Sequence, residues 1–421
     1  MVTWYRQNRD LLDNTVSLIA SAAVTSGLGF AFWWIAARLF VPEAVGLASA
    51  AVSAMLLLST MGVVGLDALL ISEIPKVRTS VGRLVATAVS TAFVASLSLG
   101  LLFAGVAPAL SPNLGLFFSS TWAQVAFAIG VGLTGATFVV DRATVGLLRG
   151  GIQFRRNVWF SVLKLVLLPL LLTSGWLMTR VEQSMYELWA ATTLVSLLLV
   201  MPDLLRALPM SDLRPDWSLL ARLRADAFRH HVLNVAQHGP GLAMPVLVVS
   251  IFPASVSAAF YVTWMLITFA LVVPVHLTTV LHAVGVRDLV RLAEKVRMTL
   301  GLSVVAALGI ALVATVIAES VLSLFGPTYA ESASAALRIL ALTVLPLSVK
   351  VHYFALARIH GFTARAAAIG AVAGVVELGA AGLGGWFGTL ETMSWCLLAA
   401  LGLNAIALAP TVLRSTRPPG N

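Results

Sequence analysis

Charge is what this chain has least of. Asp, Glu, Lys and Arg make up only 11% of its 421 residues, against roughly 25% in soluble domains. A water-facing surface cannot be built from so few charges, and 59% of the residues are hydrophobic; lipid must be the solvent for most of the chain. Cysteine is nearly absent as well. Cys396 is the single one and sits in an apolar run, which excludes an intrachain disulfide and thiolate-based metal sites. All 7 histidines lie in the second half, with no HxxxH or HExxH spacing, so no metal centre is expected. A G-x-x-x-x-G-K-S/T loop and a G-x-S-x-G elbow are both missing, which removes the P-loop and serine-hydrolase routes. No cofactor is expected. The outer gaps are short and hold no paired carboxylates beyond Glu182 and Glu187, so the chain does not read as an enzyme.

What is present is a series of long apolar runs. Crossing the hydrocarbon core takes roughly 20 residues of helix. Spans are expected near 15–39, 45–72, 84–107, 121–148, 158–179, 188–210, 231–252, 256–283, 298–325, 334–356, 364–387 and 391–413. Their length rules out barrel strands. The fold class is therefore all-α: a polytopic membrane protein of about 12 transmembrane helices. Bases gather in every second gap: Lys76, Arg78 and Arg83, then Arg149, Arg155 and Arg156, then Arg287, Arg291, Lys295 and Arg297. The alternate gaps hold acids such as Glu43, Glu319, Glu331 and Glu391, or no charge. Basic loops resist translocation, so both termini are expected in the cytoplasm of a cell (plasma) membrane protein. The net charge of +9 is spread over these inner gaps, which suits anionic membrane lipids as partners and no nucleic acid. The first run is too long for a cleavable signal and continues into Trp33, Trp34 and Arg38; it is expected to be its own targeting signal.

The longest polar interval lies near the midpoint. It divides the chain into an N-terminal six-helix lobe (1–210), a cytoplasmic linker (211–230) with a short interfacial helix, and a C-terminal six-helix lobe with a polar tail (231–421). Four spans carry polar stripes. In the first, Ser17, Ser21 and Thr25 stack at four-residue spacing; in the second, Ser49, Ser53, Thr60 and Asp67 share a face. The seventh sets Asn234, Gln237, His238 and Gly241 on one face, beside a Gly239-Pro240-Gly241 break. The eighth carries Tyr261, Thr268 and His282. Small and hydroxylated residues of this kind line helix contacts in lipid. Three amide or imidazole groups beside a helix break are instead expected to face a cavity.

Each ionisable group at depth costs roughly 2.5–3.5 kcal/mol on insertion scales. Glu377 falls near the middle of the eleventh span, Lys164 and Lys350 some two turns from cytoplasmic ends, and Arg38 near the outer face. Both lysines can be read as snorkelling stems or as cations for an anionic substrate. Asp141 and Arg142 read as members of a mutual or inter-helix ion pair. Asp67 and Glu377 are the acids available to a coupling ion.

The segment from Asn14 to Pro75 resembles the opening of bacterial polysaccharide flippases of the Wzx type, in the multidrug/oligosaccharidyl-lipid/polysaccharide exporter superfamily. The likeness is carried by Ala37-Arg38-Leu39 closing helix one, Pro42-Glu43 and Gly46 in the turn, and Gly65-Leu66 closing helix two. Weaker echoes lie in Asp141 through Arg149, Asn157 through Pro169, and Phe260-Tyr261-Val262. Ser72-Glu73-Ile74 stands where that family commonly has a basic residue before the proline. The resemblance implies two six-helix bundles around a central cleft that flips a polyprenyl-diphosphate-linked oligosaccharide by alternating access. Its substrate residues would then be Asn234, Gln237, His238, Lys164, Lys350 and Arg38. A polysaccharide polymerase or glycosyltransferases would act beside it. Two other readings stay open: a cation-coupled multidrug or metabolite exporter using Asp67 and Glu377, and a non-transporting scaffold of envelope assembly.

Overall fold

The computed structural model describes residues 24–76, 80–173, 175–208, 213–285 and 291–416. Ser17 and Ser21 of the first stripe lie outside these residues. The described chain is helical from end to end: α1 (24–39), α2 (Pro42–Gly62), α3 (Leu66–Glu73), α4 (Val81–Leu110), α5 (Pro112–Phe117), α6 (Thr121–Gly146), α7 (Gly150–Leu167), α8 (Gly175–Met178), α9 (Val181–Ala207), α10 (Trp217–Ile251), α11 (Ala254–Ala270), α12 (Val272–Gly285), α13 (Leu292–Ser323), α14 (Pro327–Leu342), α15 (Val344–His360), α16 (Thr363–Trp386) and α17 (Leu390–Arg414). Among the described residues 10 helices are long and apolar enough to cross a membrane, and 11 spans result when α14 and α15, bent by 44°, count as one. The tenth expected span, 334–356, contains that bend. The first, 15–39, begins outside the described residues, and its described part is helical.

The chain forms two compact units, the described residues of Met1–Leu39 with Ala51–Val232, and Phe40–Ala50 with Leu233–Asn421. In the first unit, α4 buries Ala88, Ala92, Ser96, Gly100 and Ala104 at every fourth position. That stripe lets backbones approach closely, which is how helices associate where lipid supplies no hydrophobic drive. A β-carbon at Gly62 or Gly135 would overlap Ser96, and one at Gly100 would come within 2.8 Å of the Ala128 Cα. Ser59 donates to the Val131 carbonyl at 2.9 Å, and Tyr186 to the Phe127 carbonyl at 2.8 Å. Ser120 caps α6 through the Ala123 amide. Between α2 and α3 the backbone turns left-handed at Val64 (φ 50°) and Gly65 (φ 76°). A side chain at Gly65 would also collide with the Ala227 carbonyl.

In the second unit Gly46 lies so close to Ala254 that a β-carbon would overlap its carbonyl. The glycines of α16 serve the same purpose: Gly370 receives the Phe354 ring and Gly374 the Pro240 ring. Two sequence expectations fail on α10. The expected linker helix is present from Trp217, but it does not end before the seventh span, and that span does not break: the helix runs on through Pro240 and Pro245 to Ile251. A proline has no N–H for the carbonyl four residues back, so Pro245 orphans the Gly241 carbonyl. The Trp264 indole of α11 donates to that carbonyl at 2.9 Å, so the helix need not break there. Trp264→Phe is expected to lower stability by about 1–3 kcal/mol, the cost of a buried acceptor left without a donor. Thermal unfolding in detergent reads this as a lower Tm; an unchanged Tm would show that the carbonyl finds another donor.

Candidate functional site

Each unit buries one lysine, and the two are held in opposite ways. Lys164 lies on α7 with 1% of its surface exposed. Its ammonium stands 3.9 Å from the Trp189 ring centre, 4.5 Å from Phe160 and 5.3 Å from Phe32. Phe160 is one helical turn before the lysine on the same face, whereas Phe32 and Trp189 arrive from α1 and α9. The rings brace one another: Phe32 meets Trp189 edge-on at 5.3 Å, Phe160 meets Trp189 at 5.4 Å, and Trp33 meets Phe32 at 5.1 Å. No carboxylate among the described residues pairs with this ammonium. Aromatic faces attract a cation but supply no counter-charge, so a positive charge on Lys164 has no paired anion among the described residues in this low-dielectric surrounding. An anion entering such a site meets a strong unscreened field.

Lys350 on α15 is neutralised instead. Its Nζ lies 2.6 and 2.8 Å from the two Glu377 oxygens of α16. The Asn404 amide of α17 donates to the same carboxylate at 2.9 Å and to the Ala373 carbonyl at 3.3 Å. All three helices thus converge on one buried carboxylate. Neither lysine snorkels: both are buried. Asp141 also has its partner, and it is Arg156 on α7 and not the adjacent Arg142. The guanidinium grips the carboxylate bidentately, Nε to Oδ1 at 2.8 Å and Nη2 to Oδ2 at 2.7 Å, and Nη2 also donates to Asn157.

The seventh-span trio is only partly assembled for a ligand. Gln237 accepts from the Arg358 guanidinium at 2.8 Å, and His238 is exposed with Nδ1 3.1 Å from the Asn234 carbonyl. Asn234 itself is half-buried. On the other stripes, Ser49, Thr60 and Thr268 bond to carbonyls of their own helices, the satisfied state that helix packing requires. Asp67 is half-buried in the first turn of α3, within electrostatic reach of His231. Arg38 is exposed near the end of α1. Sequence reading did not find Phe32, Phe160, Trp189, Asn404 or Arg358. Only Phe160 carried a local signal, its four-residue spacing from Lys164.

No protein-family model matches the chain, and no curated protein matches it. Solved structures do. An inward-facing multidrug resistance MATE family transporter of the MOP superfamily gives a TM-score of 0.69 at 15% identity, over 94% of this chain and 97% of that one. The lipid II flippase MurJ, inward closed, gives 0.69 at 10% identity, over 96% and 90%. A MOP superfamily transporter from Pyrococcus furiosus gives 0.65 at 15% identity, over 97% and 96%. The chain therefore shares the fold of these structures, an all-helical polytopic membrane fold of two bundles. The proteins that share it here are transporters and a flippase, not enzymes.

Proposed function

We propose that this chain flips a polyprenyl-diphosphate-linked oligosaccharide from the inner to the outer leaflet of the plasma membrane, by alternating access, with both termini in the cytoplasm. The substrate would serve cell-surface polysaccharide synthesis. A sugar diphosphate cannot enter hydrocarbon unaided, because its hydroxyls and charges would all lose their hydrogen bonds. The observation that carries this reading is the sign of the unneutralised buried charge. Lys164 is a buried amine with no carboxylate beside it among the described residues, held by aromatic faces that favour its charged form without pairing it, so an arriving anion would be its first counter-charge. A diphosphate takes such a cation as a charge-assisted hydrogen-bond donor. Asn234, Gln237 and His238 offer amide and imidazole groups suited to glycan hydroxyls. A lipid II flippase sharing the fold supports the same substrate class.

The exporter reading needs a free acid for a coupling cation. Glu377 has both oxygens engaged by Lys350, which leaves Asp67 to carry it. The discriminating experiment reconstitutes the protein in vesicles with a fluorescent polyprenyl-diphosphate oligosaccharide and, separately, with ethidium. Movement of the glycolipid to the opposite leaflet, read by lectin accessibility, is expected, with no ethidium transport. Ethidium transport without glycolipid movement would overturn the proposal in favour of the exporter. Transport of neither would favour the scaffold.

A further inference from the structure

Glu377 has the placement of an acid waiting for a coupling cation, yet in the folded chain the cation is already there. Lys350 brings a single positive charge to 2.6 and 2.8 Å from its two oxygens, and the pair is almost wholly buried. The other groups at this point are also oxygen donors or can become so. The Ala373 carbonyl lies within reach of the Asn404 amide, whose nitrogen bonds both to it and to Glu377 Oε1. Turning that amide by half a revolution exchanges its NH₂ for its carbonyl oxygen. Glu377 Oε1 and Oε2, the Ala373 carbonyl and Asn404 Oδ1 would then form an all-oxygen set, the chemistry that hard metal cations take. One carboxylate balances one charge, so a monovalent ion suits it; an ammonium is close to potassium in size.

We propose that α15, α16 and α17 build a monovalent-cation site whose resident is the chain's own Lys350. The second unit then operates without taking sodium or potassium from solution at Glu377, and removing the ammonium opens the site to either ion. This deepens the transport reading but concerns the cation and not the cargo, so its failure leaves the glycolipid experiment unaffected.

The test uses the full chain purified in detergent, with choline replaced by potassium or sodium at constant ionic strength. The wild-type Tm is expected to be the same in all three salts. Lys350→Met is expected to gain a saturable rise of at least about 3 °C in potassium or sodium, and Lys350→Met combined with Glu377→Gln to lose it. A variant that folds only when one of these ions is present supports the proposal equally. A folded Lys350→Met chain indifferent to both ions overturns it. So does a Lys350→Met chain that stays unfolded in both, whether or not Glu377→Gln restores it. A cation-specific rise in the wild type that Glu377→Gln abolishes also overturns it, because the external ion would then be displacing Lys350.

Discussion

Replacing Lys164 with Met is expected to make the protein more stable and much less active. The buried ammonium lost water on folding and gained no carboxylate among the described residues; exchanging buried charge for well-packed apolar volume is often stabilising by about 1–4 kcal/mol. Glycolipid movement in vesicles should fall by about 10–100-fold, the equivalent of one hydrogen bond to a charged group worth about 1.5–3 kcal/mol. Lys164→Arg should restore part of the rate, since it keeps the charge. Opposite signs of the two effects separate a binding cation from a packing residue. A Met variant that is less stable and transports normally would remove Lys164 from the proposed site.

Arg156→Met is expected to have the largest effect on stability. It leaves the Asp141 carboxylate without its bidentate partner at bilayer depth, and breaking a buried pair in this way costs about 3–5 kcal/mol. Arg156→Met with Asp141→Leu should return most of that loss, because the second change removes the stranded charge. Denaturation midpoints of the wild type, the single variant and the double variant in one detergent form the check. A double variant no better than the single one would show that the arginine matters through its packing. Arg156→Lys should fall between, since an ammonium cannot reproduce the planar fork.

The spacing of apolar runs made most of the helices legible, because lipid imposes length and hydropathy on every span. Their ends were less so. The expected fifth span began at 158, after the bases at Arg155 and Arg156, yet α7 starts at Gly150 and takes in Arg156, whose charge is met by Asp141 of another helix. The expected break at Pro240 is absent, as the helix runs on to Ile251; at Pro245 it is Trp264, from another helix, that donates to the Gly241 carbonyl the proline leaves without a helical partner. The same limit governs the site. Lys164, Lys350 and Glu377 stood out individually as costly charges. That Glu377 belongs to Lys350, and that Lys164 belongs to three rings, depends on which faces α1, α7, α9, α15, α16 and α17 turn toward one another. Residues 27 positions apart, as Lys350 and Glu377 are, leave no such trace in a single sequence.

The grip of Arg156 on Asp141 also bears on how the chain is made. The span beginning at α7 has a mean hydropathy of 1.4, against 1.8 for α6 and 2.0 for α4, and it carries Arg155, Arg156 and Lys164. Emerging from the ribosome alone, it would be poorly retained by lipid, since each central charge costs roughly 2.5–3.5 kcal/mol on insertion scales. Its predecessor α6 is synthesised first and ends only a few residues upstream, with Asp141 in its last turns. Entering as a hairpin, the two helices bring Asp141 and Arg156 to the translocon together, and the pair can form before either helix is released into the bilayer. Asp141→Leu is therefore expected to lower the inserted fraction of α7.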